Sequence, residues 1–221
     1  MQVVRLASET DFDGWRRAAR LLRGADVSPE DALWTVDGGG DLFGQTTEPA
    51  AAAASFTVPR EFVEVAEQVV LHSSGERFAL LYRLLWRLAN EPNLMHIASD
   101  PDVARARDMA GAVSKAIHKM KAFVRFRQVE GADEETYVAW FEPAHRVAEA
   151  AAPFFARRYA NMNWSILTPD RCAHWDKVLP KFTPGADPAD APSEDALEDY
   201  WRTYYASTFN PARLKVGAMQ R

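Results

Sequence analysis

The sequence predicts an α+β fold, in which helices pack on a largely antiparallel sheet. Three segments, 61–72, 76–89 and 101–120, repeat apolar residues every third or fourth position, the spacing of a helix with one buried face. Two shorter segments, 123–128 and 136–141, alternate in polarity on either side of the turn sequence GADEE. This pattern predicts a β-hairpin that follows the third helix.

The N-terminal section, residues 1–36, predicts a strand at 3–6, a helix at 11–23 and a short apolar piece that ends at Val36. Thr10 can cap the helix, because its hydroxyl can accept a hydrogen bond from a free backbone N–H of the first turn. The apolar residues at helical spacing form the expected buried face: Trp15, Ala18, Leu21 and Leu22.

A Gly/Ala-rich stretch at 37–55 predicts a linker. Its three consecutive glycines lose much conformational entropy when ordered and have no side chains to pack. The glycines are not followed by Gly-Lys-Ser and do not form a G-x-G-x-x-G pattern, so the sequence does not support a phosphate-binding loop here. We therefore expect the linker to separate residues 1–36 from a main α+β domain at 56–221.

The third helix has a clear start, because Asp100 can cap it and Pro101 suits the first turn. Further along, PAHRV predicts the start of a helix that runs to residue 159 with a bend at Pro153. Strands are expected at 164–167 and 172–175, joined by a turn.

The net charge of −5 arises from one region. Residues 183–199 contain six acids and no Lys or Arg, so the rest of the chain is close to neutral. The prolines in this region predict an exposed acidic loop, and a helix is expected from about residue 195 to residue 207.

Composition indicates a cytoplasmic protein with no membrane contact. Acids occupy the N-terminus where a signal peptide needs apolar residues, and the longest apolar run is too short to span a bilayer. The single cysteine, Cys172, excludes an internal disulfide and favours a reducing compartment, and we expect it to pack as a small apolar residue. With five scattered histidines and one cysteine, the sequence predicts no metal site and no cofactor.

The decapeptide HKMKAFVRFR, residues 118–127, contains four cations, two phenylalanines and no acid. As a strand it would place Phe123, Arg125 and Arg127 on one face, which suits a phosphate backbone with a stacked base. The alternative is a solvated face whose arginines pair with acids such as Glu130 or Glu142.

Four blocks resemble a family of uncharacterised bacterial DNA-metabolism proteins: HKMKAFVRFR, FEPAHRV, FFARRYANMNWSILTPDRCAHWD and DYWRTYYASTFNPARLKVGAMQ. Members of that family occur beside a radical-SAM partner, or as the N-terminal part of fusions to a uracil-DNA-glycosylase-like protein that captures uracil in DNA. WSILTPDR and PARLKV are most similar to the fused form. The resemblance is strong over 56–221 and weaker over 1–36, and it implies DNA repair without implying a reaction.

Fused members continue into the glycosylase-like domain, whereas this chain stops at MQR. We therefore expect a single domain or a truncated chain, and uracil binding is not carried over to it. A glycosylase motif and a cysteine set for an iron–sulfur cluster are both missing from the sequence.

The function that the sequence favours is a DNA-binding accessory module that contacts single-stranded or damaged DNA. Its expected partners are a uracil-DNA-glycosylase-like domain in the same chain or a separate radical-SAM protein. The residues expected to form its basic groove are Lys115, Lys119, Lys121, Phe123, Arg125, Arg127, Arg157, Arg158 and Arg171.

Two alternatives stay open. One is an enzyme that acts on a modified or damaged nucleotide, with His118 as acid or base and His145 as a second candidate. If neither residue is catalytic, His118 only hydrogen-bonds a carbonyl, and His72, at a helix end, has a structural role. The other alternative is a docking domain that recruits a repair partner through its C-terminal helix.

Overall fold

This computed structural model describes residues 1–36, 57–129 and 135–187. The chain divides into two compact units. Among these residues, unit 1 comprises 1–36, 57–118 and the short segment 144–147, and unit 2 comprises 119–129, 135–143 and 148–187.

Unit 1 begins with a β–α–β arrangement. Strand β1 (Gln2–Leu6) and strand β2 (Ala32–Val36) pair in parallel, and helix α1 (Phe12–Gly24) connects them, together with a 3₁₀ turn at Pro29–Asp31. Asp11, rather than Thr10, caps α1, because its carboxylate accepts the Gly14 N–H at 2.8 Å.

Three helices follow in the described residues, close to the predicted positions, and the last of them continues from unit 1 into unit 2. They are α2 (Arg60–Val69), α3 (Arg77–Leu88) and α4 (Pro101–Phe123), with a 3₁₀ turn at Leu94–His96 between α3 and α4. Asp100 Oδ1 accepts the N–H groups of Asp102 at 3.0 Å and Val103 at 3.2 Å, so the predicted start of α4 is confirmed.

The core of unit 1 joins the N-terminal section to the helices. Trp15, which is buried on α1, donates its indole N–H to the Phe78 carbonyl at 3.2 Å. Tyr82 donates its hydroxyl to the Val27 carbonyl at 2.6 Å. Residues 1–36 therefore share one hydrophobic core with α2 and α3. From the sequence alone, residues 1–36 are expected to be a separate section, divided from the main domain by the linker at 37–55.

The described residues of unit 2 form a mixed sheet of five strands: β3 (Arg127–Gln128), β4 (Thr136–Trp140), β5 (Asn163–Leu167), β6 (Arg171–Trp175) and β7 (Pro180–Pro184). Their order in the sheet is β3-β4-β5-β6-β7. Strands β4 and β5 are parallel, because helix α5 (Ala148–Arg158) connects them, and the other neighbours are antiparallel. The predicted α+β class is confirmed.

The predicted hairpin 123–128/136–141 is wrong in its first arm. Helix α4 continues to Phe123, and only Arg127 and Gln128 pair with β4. The Val124 N–H still donates to the Met120 carbonyl at 3.1 Å, as in a helix. The alternation of apolar and polar residues corresponds to alternating burial, although these residues do not form a strand. Val124 is buried, and Phe126 packs on aromatic rings at the C-terminal end of α5.

Two further boundaries differ from the prediction. The helix expected from Pro143 begins at Ala148, and residues 144–147 form an irregular segment that belongs to unit 1. Strand β7 occupies residues that the sequence assigns in part to the acidic loop. The linker 37–55, the acidic loop beyond residue 187 and the predicted helix at 195–207 lie outside the described residues.

No helix in the described part of the chain is both long enough and apolar enough to cross a membrane.

Candidate nucleic-acid interface

The C-terminal end of α4 places cations and an aromatic ring on the surface of unit 2. Lys119 and Lys121 are exposed in the last turns of the helix, where the free carbonyls favour positive charge. Phe123, its last residue, is 64% exposed. An exposed phenylalanine between cations is available for stacking on a ligand.

Arg125 folds back onto this helix end. Its Nη1 donates to the Ala122 carbonyl at 2.7 Å and to the Val124 carbonyl at 2.9 Å. These bonds occupy only part of the five N–H donors of a guanidinium. The helix end holds the Arg125 guanidinium in place, and its remaining N–H groups can donate to an anion.

Lys121 connects α4 to the second basic element. Its Nζ lies 5.3 Å from the centre of the Phe154 ring on α5. Arg157 and Arg158 follow Phe154 by three and four positions, so they lie on the same face of α5 and are exposed. The two basic helix ends therefore meet. We call the following residues the basic cluster: Lys119, Lys121, Phe123, Arg125, Arg157 and Arg158.

The cations of this cluster are not neutralised by acids in the described part of the chain. None of the five forms an ion pair there with a carboxylate. Elsewhere in unit 2, by contrast, Lys181 pairs with Asp176 at 2.6 Å. This surface therefore carries positive charge that no described carboxylate compensates.

Three predicted groove residues are not counted in the basic cluster. Arg171 is paired with Glu149 through Nε and Oε1 at 2.7 Å. Arg127 is exposed on β3, opposite Val138. Lys115 is exposed on the part of α4 that belongs to unit 1.

His118 is exposed on the same part of α4, and no hydrogen bond orients its ring within the described residues. A general acid or base needs a partner that fixes its tautomer and direction. The role of His118 as acid or base therefore stays a prediction from the sequence.

The structure instead brings two other histidines together in unit 1. The rings of His72 and His145 stack with centroids 4.2 Å apart and an interplanar angle of 30°. Segment 144–147 is held there by the Arg146 N–H, which donates to the Leu71 carbonyl at 2.9 Å. The exposed Ser73 hydroxyl lies 3.1 Å from His145 Nδ1. Sequence reasoning missed this pair because nothing local connects positions so far apart in the chain.

Unit 2 contains a third histidine with a different role. His174 is fully buried, with Nδ1 2.6 Å from Ser165 Oγ and Nε2 2.9 Å from Thr183 Oγ1. Burial, aided by the charge of Lys181, lowers the pKa of His174 to about 4. The imidazole is neutral at pH 7 and hydrogen-bonds strands β5, β6 and β7 to one another. Cys172, also in β6, is buried in the core, as predicted.

The ranges that the structure describes contain no cluster of three metal-ligating side chains.

Comparison with known proteins yields one family. A model for a domain of unknown function, DUF4130, matches residues 75–221. The chain belongs to this family. The DUF4130 match includes the whole basic cluster and His145, whereas His72 and Ser73 precede it. No curated protein and no solved structure matches the chain.

Proposed function

We propose that the chain is a nucleic-acid-binding module that contacts the phosphate backbone of DNA with the basic cluster. The observation that supports this function best is the position of Lys121 over Phe154, which brings the basic ends of α4 and α5 together. Clustered cations without acidic partners are the electrostatic footprint of nucleic-acid binding.

The binding energy in this proposal is largely electrostatic. Each Lys or Arg that neutralises a phosphate releases a condensed counterion, so the logarithm of the affinity falls linearly with the logarithm of salt concentration. Each contact contributes a slope of about 0.9 on duplex DNA and about 0.7 on a single strand.

Phe123 favours single-stranded DNA. Its exposed ring lies among cations, and base–aromatic stacking contributes about 1–3 kcal/mol per base. A base can stack on the ring only when it is not enclosed in a duplex. We therefore expect single-stranded DNA, or a damaged site with an unpaired base, to bind more tightly than intact duplex.

The wider role that we propose comes from the family resemblance described above. It is an accessory module of a bacterial DNA-repair system, which works with a uracil-DNA-glycosylase-like domain in the same chain or with a radical-SAM protein. The module would hold DNA while its partner performs the chemistry.

The test measures fluorescence anisotropy of labelled single-stranded and duplex oligonucleotides at several salt concentrations. Lys121→Gln/Arg158→Gln removes two cluster cations, and Lys177→Gln/Lys181→Gln, near the opposite edge strand β7, is the control with the same charge change. We expect the cluster variant to bind more weakly and with a salt slope lower by about 1.4–1.8. Equal affinities and slopes for both variants would remove the proposal.

A further inference from the structure

Backbone hydrogen bonds set the tautomer of the two stacked histidines in unit 1. Nδ1 of His72 accepts the Ser74 N–H at 3.0 Å, and Nδ1 of His145 accepts the Ser73 N–H at 3.3 Å. A neutral imidazole that accepts at Nδ1 carries its proton at Nε2. Within the described chain neither Nε2 has a protein partner. Each half-buried ring therefore offers an unused N–H donor.

Three arginines surround the pair. Arg77, which is 2% exposed, donates to the Val70 and Ser74 carbonyls at 3.0 and 2.8 Å, so it lies directly behind the turn that bears His72. Arg146 donates to the His72 carbonyl at 3.2 Å. Arg105 lies close enough for its charge to act on His72.

Among the described residues, only two carboxylates pair with these arginines. Glu9 pairs with both Arg77 and Arg146, and the exposed Glu76 pairs with Arg105 at 2.5 Å. The surroundings of the histidines therefore retain a net positive charge. Partial burial and these cations lower the pKa values of His72 and His145.

The N-terminus of α3 adds to the positive potential. The turn that bears His72 and Ser73 leads directly into this helix, which begins at Arg77. Its N-cap residue, Glu76, makes no side-chain capping hydrogen bond. Free N–H groups and the helix dipole at such an end attract anions.

From these features we propose that His72 and His145 bind a phosphate group carried by a phosphomonoester or present as free phosphate. Both Nδ1 atoms face the backbone N–H groups of Ser73 and Ser74, so the two Nε2 donors, on the far side of the rings, supply hydrogen bonds to the phosphate oxygens, and the arginines supply the field. A dianionic phosphate suits a site whose cations exceed its carboxylates, and its tetrahedral oxygens can accept from several directions.

Binding should couple to protonation of the histidines. The neighbouring cations disfavour the imidazolium form, and a bound dianion reverses the sign of that local field. Phosphate should therefore raise both pKa values. The charged groups that face the pair are Glu9, Glu76, Arg77, Arg105 and Arg146, and we expect the two histidines to be the groups that take up the proton.

The test uses histidine ring resonances in NMR spectra of the full chain, titrated with inorganic phosphate and, at equal ionic strength, with chloride. We expect phosphate to shift the resonances of His72 and His145 and to raise their pKa values by about one unit, equivalent to about tenfold coupling. His96, which is 76% exposed and whose Nδ1 lies 3.9 Å from Glu61, is the internal control. No phosphate-specific shift at His72 and His145, or the same shift with chloride, would overturn the proposal.

Two variants test the assignment to named atoms. His145→Ala and His72→Ala each remove one of the two Nε2 donors. We expect phosphate affinity to fall about tenfold in each variant. His96→Gln should bind phosphate like the unmodified chain. Unchanged affinity in His72→Ala and His145→Ala, with a dispersed native spectrum, contradicts the proposal.

The source of the phosphate is decided with short oligonucleotides. If a 5′-phosphorylated tetranucleotide shifts both histidines and its 5′-hydroxyl counterpart does not, the ligand is a terminal phosphate of a nucleic acid. If only inorganic phosphate acts, the ligand is free phosphate. Because this site lies in unit 1 and the basic cluster in unit 2, loss of either activity in its own variants leaves the other measurable.

Discussion

The Nζ atom of Lys121 lies 5.3 Å from the ring centre of Phe154, so a cation at the end of α4 rests on an aromatic residue of α5. We expect Phe154→Leu to weaken DNA binding several-fold, because the ring no longer positions Lys121 beside Arg157 and Arg158. The contact itself should contribute about 0.5–1 kcal/mol to the free energy of unfolding. A double-mutant cycle with Lys121→Met, followed by urea unfolding, measures it, and a coupling near zero would contradict this role.

Phe123 should discriminate between forms of DNA. Because its exposed ring contributes to binding only by stacking, Phe123→Ala should lower the affinity for single-stranded DNA by about 1–3 kcal/mol and leave duplex affinity nearly unchanged. The measurement is anisotropy with matched oligonucleotides. A loss of the same size on both forms indicates that the ring does not stack on bases.

Burial of His174 should make unit 2 sensitive to acid. The unfolded histidine has a pKa near 6.5, whereas the native one has a pKa of about 4, so between these values the unfolded state binds more protons. The stabilisation is therefore fully present above pH 6.5, and it is lost as the pH falls toward 4. The total loss should be about 3 kcal/mol.

The check is urea unfolding from pH 7 to pH 4, with the unmodified chain compared with His174→Gln. The variant should be less stable at pH 7, because its amide replaces the bonds to Ser165 and Thr183 imperfectly. It should also lose about 3 kcal/mol less than the unmodified chain on acidification. Parallel stability curves for the two proteins would assign the acid sensitivity to other groups.

Arg77 should be a structural requirement of unit 1. Its buried guanidinium donates to carbonyls of Val70, Ser74 and Glu9, and Arg77→Leu leaves these acceptors without their donor. We expect a loss of about 3 kcal/mol in the free energy of unfolding. Arg105→Gln, which breaks the exposed pair with Glu76, should cost less than about 1 kcal/mol. If both variants lose a similar free energy of unfolding, burial of the guanidinium does not determine how much an arginine contributes to stability.

Local periodicity is sufficient for much of the fold. The apolar spacing on α2, α3 and α4 requires a buried face whatever the partner, and Asp100 caps α4 through atoms of its own neighbours. The basic character of residues 118–127 is likewise visible in the chain itself. The choice between helix and strand at Phe123 cannot be made from the local sequence, because alternating burial is compatible with both until α5 packs against Phe126.

The candidate sites depend on contacts between distant positions. Arg171 and Arg158 are the same residue type in the sequence. Among the described residues only Arg171 meets a carboxylate, that of Glu149, because β6 packs beside α5. Likewise His72 and His145 become a pair only when segment 144–147 joins the turn before α3. Residue type and local spacing specify each element and its charge. Which charges are neutralised, and which imidazoles meet, is decided by tertiary packing, because Coulomb and hydrogen-bond energies depend on distances that spacing along the chain does not encode.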